Sequence, residues 1–549
     1  MKERGLLLAV GFLTLLLASL DLSLAQAAGA GGSSEAETAL RAWFQRGGGR
    51  LDLKGESLRS AGELPALYAK FNYQPLWTDA SGPRPHARAL LEAIRNAGRD
   101  GLSPKDYHLV ALEERLGKAQ AGGSLVALDL LMSDAWLTLA NHLANGRIRP
   151  QQADPEWHIP YKPVPVLELI PAGREPKDLV GLLPSIAPPH PEYRRLKVAL
   201  ARIEGYVRAG GWPRWPDGPK LKEGDRDPRL PVLRQRLQVT GELGQVQVAD
   251  PELLEGETLE ALRRFQANQG LEVDGVLGKG TAAALNRTAQ ERAQQIQVNM
   301  ERWRWLPRQW EKRFILVNMA GFELSLNEEG KEPLAMKTIV GQKFRSTPAF
   351  TRNLTHLVVN PAWHVPAKIA REDILPELRK DAAYAQKKKL KLFTRVDGEV
   401  VQVDPAEVDW TTTEGGFPYQ IRQDPGPGNA LGRIAFMLPN PFAIYLHDTP
   451  KRYLFDRAVR TFSSGCIRVE KPTELALRLL NGDGAWNGEK LQAAIDSNQT
   501  RTLTLPHPVP VYIVYLTTWA DDAGHPQFRG DIYDRDARLA GLLLARDQG

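Results

Sequence analysis

The sequence has little cysteine: one residue, Cys466, in 549. A single thiol cannot close a disulfide within the chain, and it excludes a cysteine zinc site. A His-Glu-x-x-His stretch is also missing, which removes the common helical metalloprotease pattern. An excess of one charge sign is lacking as well. The 71 basic and 65 acidic residues leave a formal net charge of +6, too small for this length to argue for nucleic acid. Beyond the N-terminus no run is long and apolar enough to span a bilayer. With 42% hydrophobic and 25% charged residues the composition is that of a folded protein, which excludes wholesale disorder. The length leaves room for roughly two to four domains.

The N-terminus carries Lys2 and Arg4, an apolar run from Leu6 to Leu20, Asp21, and then Ala25-Gln26-Ala27. A charged start, a short apolar run and a small-x-small site predict a signal peptide over 1–27 and export to the periplasm. Left uncleaved, the same run would anchor the chain in the inner membrane. Export sharpens the meaning of the lone thiol. In an oxidising compartment an unpaired cysteine is exposed to damage, so its retention predicts that its chemistry is used.

Cys466 lies in Ser463-Ser464-Gly465-Cys466-Ile467-Arg468, nineteen positions after His447, which follows the apolar stretch 442–446. The β-prone stretch predicts a buried strand that delivers His447 at its end. Ser463-Ser464-Gly465 predicts a tight turn that sets Cys466 at an element boundary, where backbone N–H groups can face an oxyanion. A thiol attacks only as thiolate, and an imidazole or a cation such as Arg468 helps to supply one. Singly, a buried cysteine and a histidine are usually inert. Together the six-residue phrase and the strand-end histidine form a specific constellation.

This constellation resembles the L,D-transpeptidase family, whose catalytic domain carries a His followed by Ser-(His/Asn/Ser)-Gly-Cys-(Ile/Val)-Arg. The resemblance extends over nearly the whole chain after the leader. It is strongest to large Gram-negative members that add a scaffold region and a peptidoglycan-binding module. Ser464 stands where many members have His, and Asp448 where many have Gly.

The rest of the chain fits that plan. Residues 35–210 predict a helix-rich scaffold, with apolar three- and four-residue spacing over 87–95 and 125–143 and a helix start at Ser103-Pro104. Tyr73-Gln-Pro-Leu-Trp77 and Asn145-Gly-Arg-Ile-Arg149 are similar to phrases of the family's scaffold. His108, His142 and Trp136 are expected to be structural. A turn-rich linker over 210–219 leads to 220–288, which resembles a peptidoglycan-binding domain built as a small three-helix bundle, with Phe265 and Leu285 in its core. Residues 300–495 predict a mainly β catalytic domain, and 496–549 a C-terminal strand segment in which 528–531 pairs with 509–517. Between strand blocks, about 372–431 interrupts the pattern with a helical lysine-rich run (Lys387, Lys388, Lys389 and Lys391). An insertion of that length in a compact domain predicts a lid. The fold class expected is multidomain α+β.

The resemblance implies that Cys466 forms a thioester with a peptidoglycan stem peptide, and that a diaminopimelate amine of a second stem resolves it into a 3-3 cross-link. It gives His447 the proton shuttle. Gly465 and Cys466 amides are the expected oxyanion donors, with Ser464 in a substrate-binding role and Arg468 holding the loop or pairing with a substrate carboxylate, a purely structural salt bridge being the equal alternative for Arg468. His364 is a weaker candidate base. Donor and acceptor stem peptides are the expected partners, with other wall-synthesis enzymes beside them. No cofactor or metal is expected. Sortase-like and hydrolytic wall cysteine enzymes share the His and Cys but differ in the placing of the arginine or in the order of the pair. A non-catalytic wall-binding protein would not need them.

Overall fold

The computed structural model describes residues 33–45, 56–118, 123–381, 383–410, 417–481 and 484–547; the leader over 1–27 lies outside them. Three-and-four spacing gives the scaffold helices α1 (Pro85–Arg95), α2 (Gly123–Asn145) and α3 (Pro191–Arg208). Proline opens α1 and α3, where a missing N–H costs nothing. Helix α2 is buried on all sides from Leu128 to Ala140, as expected for the centre of a bundle. Its two buried acids are both satisfied: Asp129 accepts from the N–H groups of Leu76, Trp77 and Thr78 and from the Tyr68 hydroxyl, and Asp134 from the N–H groups of Arg59 and Ser60. The 73–77 phrase is thus a loop folded over a buried carboxylate. Ser103 and Pro104 begin a 3₁₀ turn, Pro104–Tyr107, not an α-helix, and Ser103 makes no capping bond. His108 ends that turn at φ +56° with its ring held between Glu56 and Asp134.

The module helices α4 (Leu230–Thr240), α5 (Gly256–Asn268) and α6 (Lys279–Leu285) enclose a separate core that includes Leu233, Leu262, Phe265 and Leu285. Helix α7 (Ala289–Trp305) follows, started by a capping box between Thr288 and Glu291. It is the spine of the molecule. On the scaffold side Glu301 accepts the N–H of Ile148 at 2.8 Å and pairs with Arg304 at 2.9 Å, with both side chains 1% exposed. Gly146 permits this approach: it sits at φ +81°, and a Cβ there would lie 2.6 Å from the Glu301 carboxylate. On the other side Asn299 exchanges hydrogen bonds with Thr517.

The C-terminal half contains β1 (Arg313–Asn318), β2 (Glu323–Glu328), β3 (Leu334–Gly341) and β4 (Phe350–Val359). After the insertion come β9 (Ile434–Met437), β10 (Leu446–His447), β11 (Thr461–Ser463), β12 (Ile467–Val469), α8 (Pro472–Leu480) and β13 (Arg501–Val514). The sheet order is β11-β3-β12-β10-β9-β4-β13-β1-β2, and a further β2–β3 pairing closes it into a barrel. Strand β13 runs between β4 and β1, so 496–549 is not a separate appendage. Its following strands β14 (Thr518–Ala520) and β15 (Pro526–Phe528) pair with each other; of the expected pairing of 528–531 with 509–517 there is one backbone bond, the Arg529 N–H donating to the Thr517 carbonyl at 2.8 Å, because both edges of β13 are taken by β1 and β4. Helix α9 (Arg535–Asp547) ends the described chain.

The insertion builds its own sheet from β5 (Trp363–His364), β6 (Leu390–Val396), β7 (Glu399–Val403) and β8 (Gln420–Gln423), ordered β5-β8-β6-β7. It packs on a small core around Ile374, Leu378, Leu392 and Trp410. The lysine-rich run is helical only for one turn, Tyr384–Lys387. Lys389 then turns the chain at φ +53° and Lys391 lies in β6, paired with Asp424 at 2.5 Å.

Candidate active site

Strand β10 runs parallel to β12, with Leu446 opposite Ile467 and His447 opposite Arg468. Side chains alternate along such strands. Leu446 and Ile467 therefore enter the barrel core, fully buried, while Tyr445, His447, Cys466 and Arg468 share the other face. The strand is shorter than the apolar stretch 442–446 predicts. Asn440 explains this: its side chain accepts the N–H groups of Phe442 and Ile444 and donates to the carbonyls of Leu438 and Ile444. The stretch becomes an Asn-anchored loop, with Ala443 at φ +54°. The carbonyl of Ala443 accepts from the Cys466 thiol at 3.7 Å.

The turn before Cys466 is held from three sides. Gly465 sits at φ +118°, a conformation a side chain would strain. The Gly465 carbonyl accepts from Thr347 Oγ1 at 2.7 Å, and the Ser463 hydroxyl donates to the Cys466 carbonyl at 2.5 Å. Tyr533, beyond the barrel, donates to the Gly341 carbonyl next to the same turn at 2.6 Å. The Gly465 N–H is itself occupied, donating to Ser463 Oγ at 3.2 Å. Among the described residues none accepts from the Cys466 N–H.

His447 is buried, and its Nδ1 lies 2.5 Å from the Asp448 main-chain oxygen. Burial and the nearby Arg468 charge lower its pKa to about 3, against the Asp448 and Leu431 carbonyls. Burial pushes the Cys466 thiol up to about 11, with Tyr445 and Arg468 acting in the opposite direction. Thiol and imidazole are therefore both neutral near pH 7. Arg468 faces them without a carboxylate within ion-pair distance among the described residues, and its Nε is buried with no hydrogen-bond partner. A structural salt bridge is thus not what holds it. Asp448, at the position where many family members have Gly, accepts the Arg433 N–H at 2.8 Å and pairs with Arg452 at 3.3 Å.

Two residues at the site had no sequence signal strong enough to single them out. Tyr445 has its phenol against the thiol; burial and the Cys466 charge push its ionisation far up. Its place two residues before His447 on one face was the available clue. Arg345 donates to Ser464 Oγ at 2.9 Å, to both Asp373 oxygens at 2.6 and 2.7 Å, and to Glu372 at 2.7 Å. It joins the turn before Cys466 to the start of the insertion. His364, by contrast, is exposed in the insertion sheet opposite Arg422.

The sequence model of the L,D-transpeptidase catalytic domain matches residues 312–506. The chain carries an L,D-transpeptidase catalytic domain. The match begins just before β1, runs through the insertion and ends inside β13. A scaffold domain matches 62–200, and the domain described as "Putative peptidoglycan binding domain" matches 253–285. A curated protein of Haemophilus influenzae named "Putative L,D-transpeptidase" is 36% identical over 252 residues, which is 45% of this chain. The chain spans half the length of that relative. Among solved structures, an L,D-transpeptidase from Mycobacterium smegmatis is 11% identical, covering 37% of this chain and 58% of its own at a TM-score of 0.18. The L,D-transpeptidase of Xylanimonas cellulosilytica is 16% identical, covering 55% and 100% at a TM-score of 0.16. Scores that low carry no argument about the fold; the L,D-transpeptidase domain is assigned from its sequence match.

Proposed function

We propose that the chain is a periplasmic peptidoglycan transpeptidase that makes 3-3 cross-links through a thioester on Cys466. The observation that carries the reading is the shared face of β10 and β12, which puts Cys466, His447 and Arg468 together inside an L,D-transpeptidase domain. The peptidoglycan-binding match beside it favours wall stem peptides as donor and acceptor. The predicted leader over 1–27 favours export.

In this reading the Nδ1–H of His447 stays on the Asp448 carbonyl, which leaves Nε2 of the neutral ring as the base. Because thiol and imidazole rest uncharged, the proton moves from Sγ to Nε2 as the donor stem engages. The sulfur attacks the carbonyl of the third residue, and the oxyanion takes the Cys466 N–H. The Gly465 N–H joins it only by leaving Ser463 Oγ. Collapse of the tetrahedral intermediate expels D-alanine, whose amine takes the proton from the imidazolium. A side-chain amine of a second stem then attacks the thioester, gives up its proton to His447, and releases the thiolate to recover that proton. Arg468 stabilises the negative charge that passes over sulfur and oxygen.

The test is muropeptide mass spectrometry after incubation of isolated wall material with the full chain. Diaminopimelate-to-diaminopimelate dimers are expected with the wild type and absent with Cys466→Ser. Dimers formed equally by Cys466→Ser would overturn the reading. A carbapenem is expected to leave one covalent adduct per chain on the wild type and none on that variant.

A further inference from the structure

Away from Cys466, a cavity of about 300 Å³ opens where scaffold helix α3, the linker, the binding module, α7 and β15 meet. Two buried arginines line it, Arg236 of α4 and Arg292 of α7. Each lies over aromatic rings: Arg236 is 4.1 Å from the Trp212 ring centroid and 5.5 Å from that of Phe265, and Arg292 is 4.3 Å from that of Phe528. Their hydrogen bonds are to neutral acceptors. Arg236 donates to Thr240 and to the Leu285 carbonyl; Arg292 donates to the side chains of Gln295 and Gln269.

Buried arginines normally face carboxylates. Here, among the described residues, neither guanidinium has one within ion-pair distance. Of the two acids on the cavity wall, Asp521 pairs with His525 at 3.1 Å, whereas Glu242 accepts from Thr240 and Asn268 and its charge favours the Arg236 cation without closing an ion pair. Burial depresses the ionisation of Arg236 to about 10. Burial followed by repulsion from Arg287 and Arg236 depresses that of Arg292 to about 9. Both remain cationic at neutral pH, so the cavity holds two mutually repelling positive charges against aromatic walls, with Glu242 attracting Arg236 and Glu291 attracting Arg292 only from beyond ion-pair distance. An anion supplied from outside relieves that repulsion, and a guanidinium fork matches a carboxylate in shape.

We propose that this junction cavity is a binding site for a carboxylate-bearing ligand of peptide size. The transpeptidase reading is needed only for the source, the free carboxylate of a wall stem peptide. Occupancy would tie together the elements that supply the wall, and so set the binding module against the catalytic half.

Calorimetric titration of the full chain with acetyl-D-alanine and with its amide tests the proposal. The acid is expected to bind at one site at least tenfold more tightly than the amide. Arg236→Gln and Arg292→Gln are each expected to weaken the acid at least tenfold, with Arg292→Lys recovering part of the loss. Circular dichroism checks that the variants fold. Gln269→Glu keeps both arginines and supplies a carboxylate beside Arg292, and it is expected to abolish acid binding. The site is separated from the catalytic face by Arg468→Gln, in which acid binding should persist whether or not Cys466 acylates. Equal binding of acid and amide, undiminished binding in Gln269→Glu, or loss in Arg468→Gln alone would each overturn the proposal. Sedimentation with insoluble wall distinguishes the sources: weaker sedimentation of Gln269→Glu assigns the site to the polymer, and unchanged sedimentation with lost acid binding assigns it to free peptides.

Discussion

Two opposed pKa shifts define the site at the level of single residues. A cysteine near 11 and a histidine near 3 do not form a resting ion pair, unlike thiolate–imidazolium sites in which the nucleophile is ready before substrate arrives. The expected consequence for the free enzyme is slow alkylation. Iodoacetamide should modify Cys466 at pH 7 about a hundredfold or more slowly than an exposed cysteine, since the thiolate fraction falls tenfold per pKa unit. The rate should climb with pH to about 11. On the acid side the sign is reversed. His447 has its pKa lowered, so it stays neutral as pH falls through the ordinary histidine range and loses its basic form only near 3. Acylation of Cys466 by a carbapenem should therefore show no histidine limb between pH 7 and 5. A midpoint near 6.5, or fast alkylation at pH 7, would show a solvated or preformed pair instead. His447→Ala should slow the same acylation by about a hundred- to ten-thousandfold, as loss of a general base does.

Among the secondary-structure elements, the insertion is anchored to the site at both ends. Near its start Arg345 holds Glu372 and Asp373 while touching Ser464; at its end the Leu431 carbonyl stands against the His447 ring. The two acids are each more than 40% exposed, so solvent screens the pairs and their worth to global stability is about 1 kcal/mol or less apiece. Arg345→Gln should thus leave the melting temperature nearly unchanged while hydrogen exchange over 365–381 quickens. Unaltered exchange there would mean that the insertion's own core, not Arg345, fixes its position. This contact also marks the limit of what the chain's text conveys. The motif residues, the three-helix module and most barrel strands were legible because each is a local pattern: an apolar period, a turn dipeptide, a phrase of six residues. Arg345 lies 119 positions from Ser464, and nothing local distinguishes it from other arginines. The same reason hid Asp129, read only through a loop fifty residues away. At 442–446, side-chain hydrogen bonding from Asn440 overrode β propensity, which is a weak preference to begin with.

For the whole molecule, the hydrophobic cores decide what can be separated. One continuous core runs from the scaffold through α7 into the barrel and on to α9. Its scaffold–barrel seam contains the Glu301–Arg304 pair and Trp157 edge-on to Trp305 at 5.1 Å, and Trp157 bridges backbone to Ala349 beside β4. The binding module has a core of its own. It meets the catalytic half through polar contacts, Gln527 to Asn268, Arg529 to the Asn268 carbonyl and the Ala458 N–H to Glu272. Removing the module exposes surface that is already part polar; removing the scaffold strips α7 and leaves a buried charge pair and large aromatics facing water. Leaving large apolar side chains such as Trp305 exposed forfeits about 1.5–3 kcal/mol of burial apiece, so a few of them are of the order of a domain's whole stability. A chain lacking 221–286 should therefore remain soluble, take up a carbapenem at Cys466 on whole-protein mass spectrometry, and sediment less with insoluble wall. A chain lacking 62–200 should be insoluble or fail to acylate. If the scaffold-less chain acylated at the full-length rate, α7 would not be the spine described here. If the module-less chain lost acylation, the contacts at Ala458, Gln527 and Arg529 would be supporting the catalytic fold as well as docking the module.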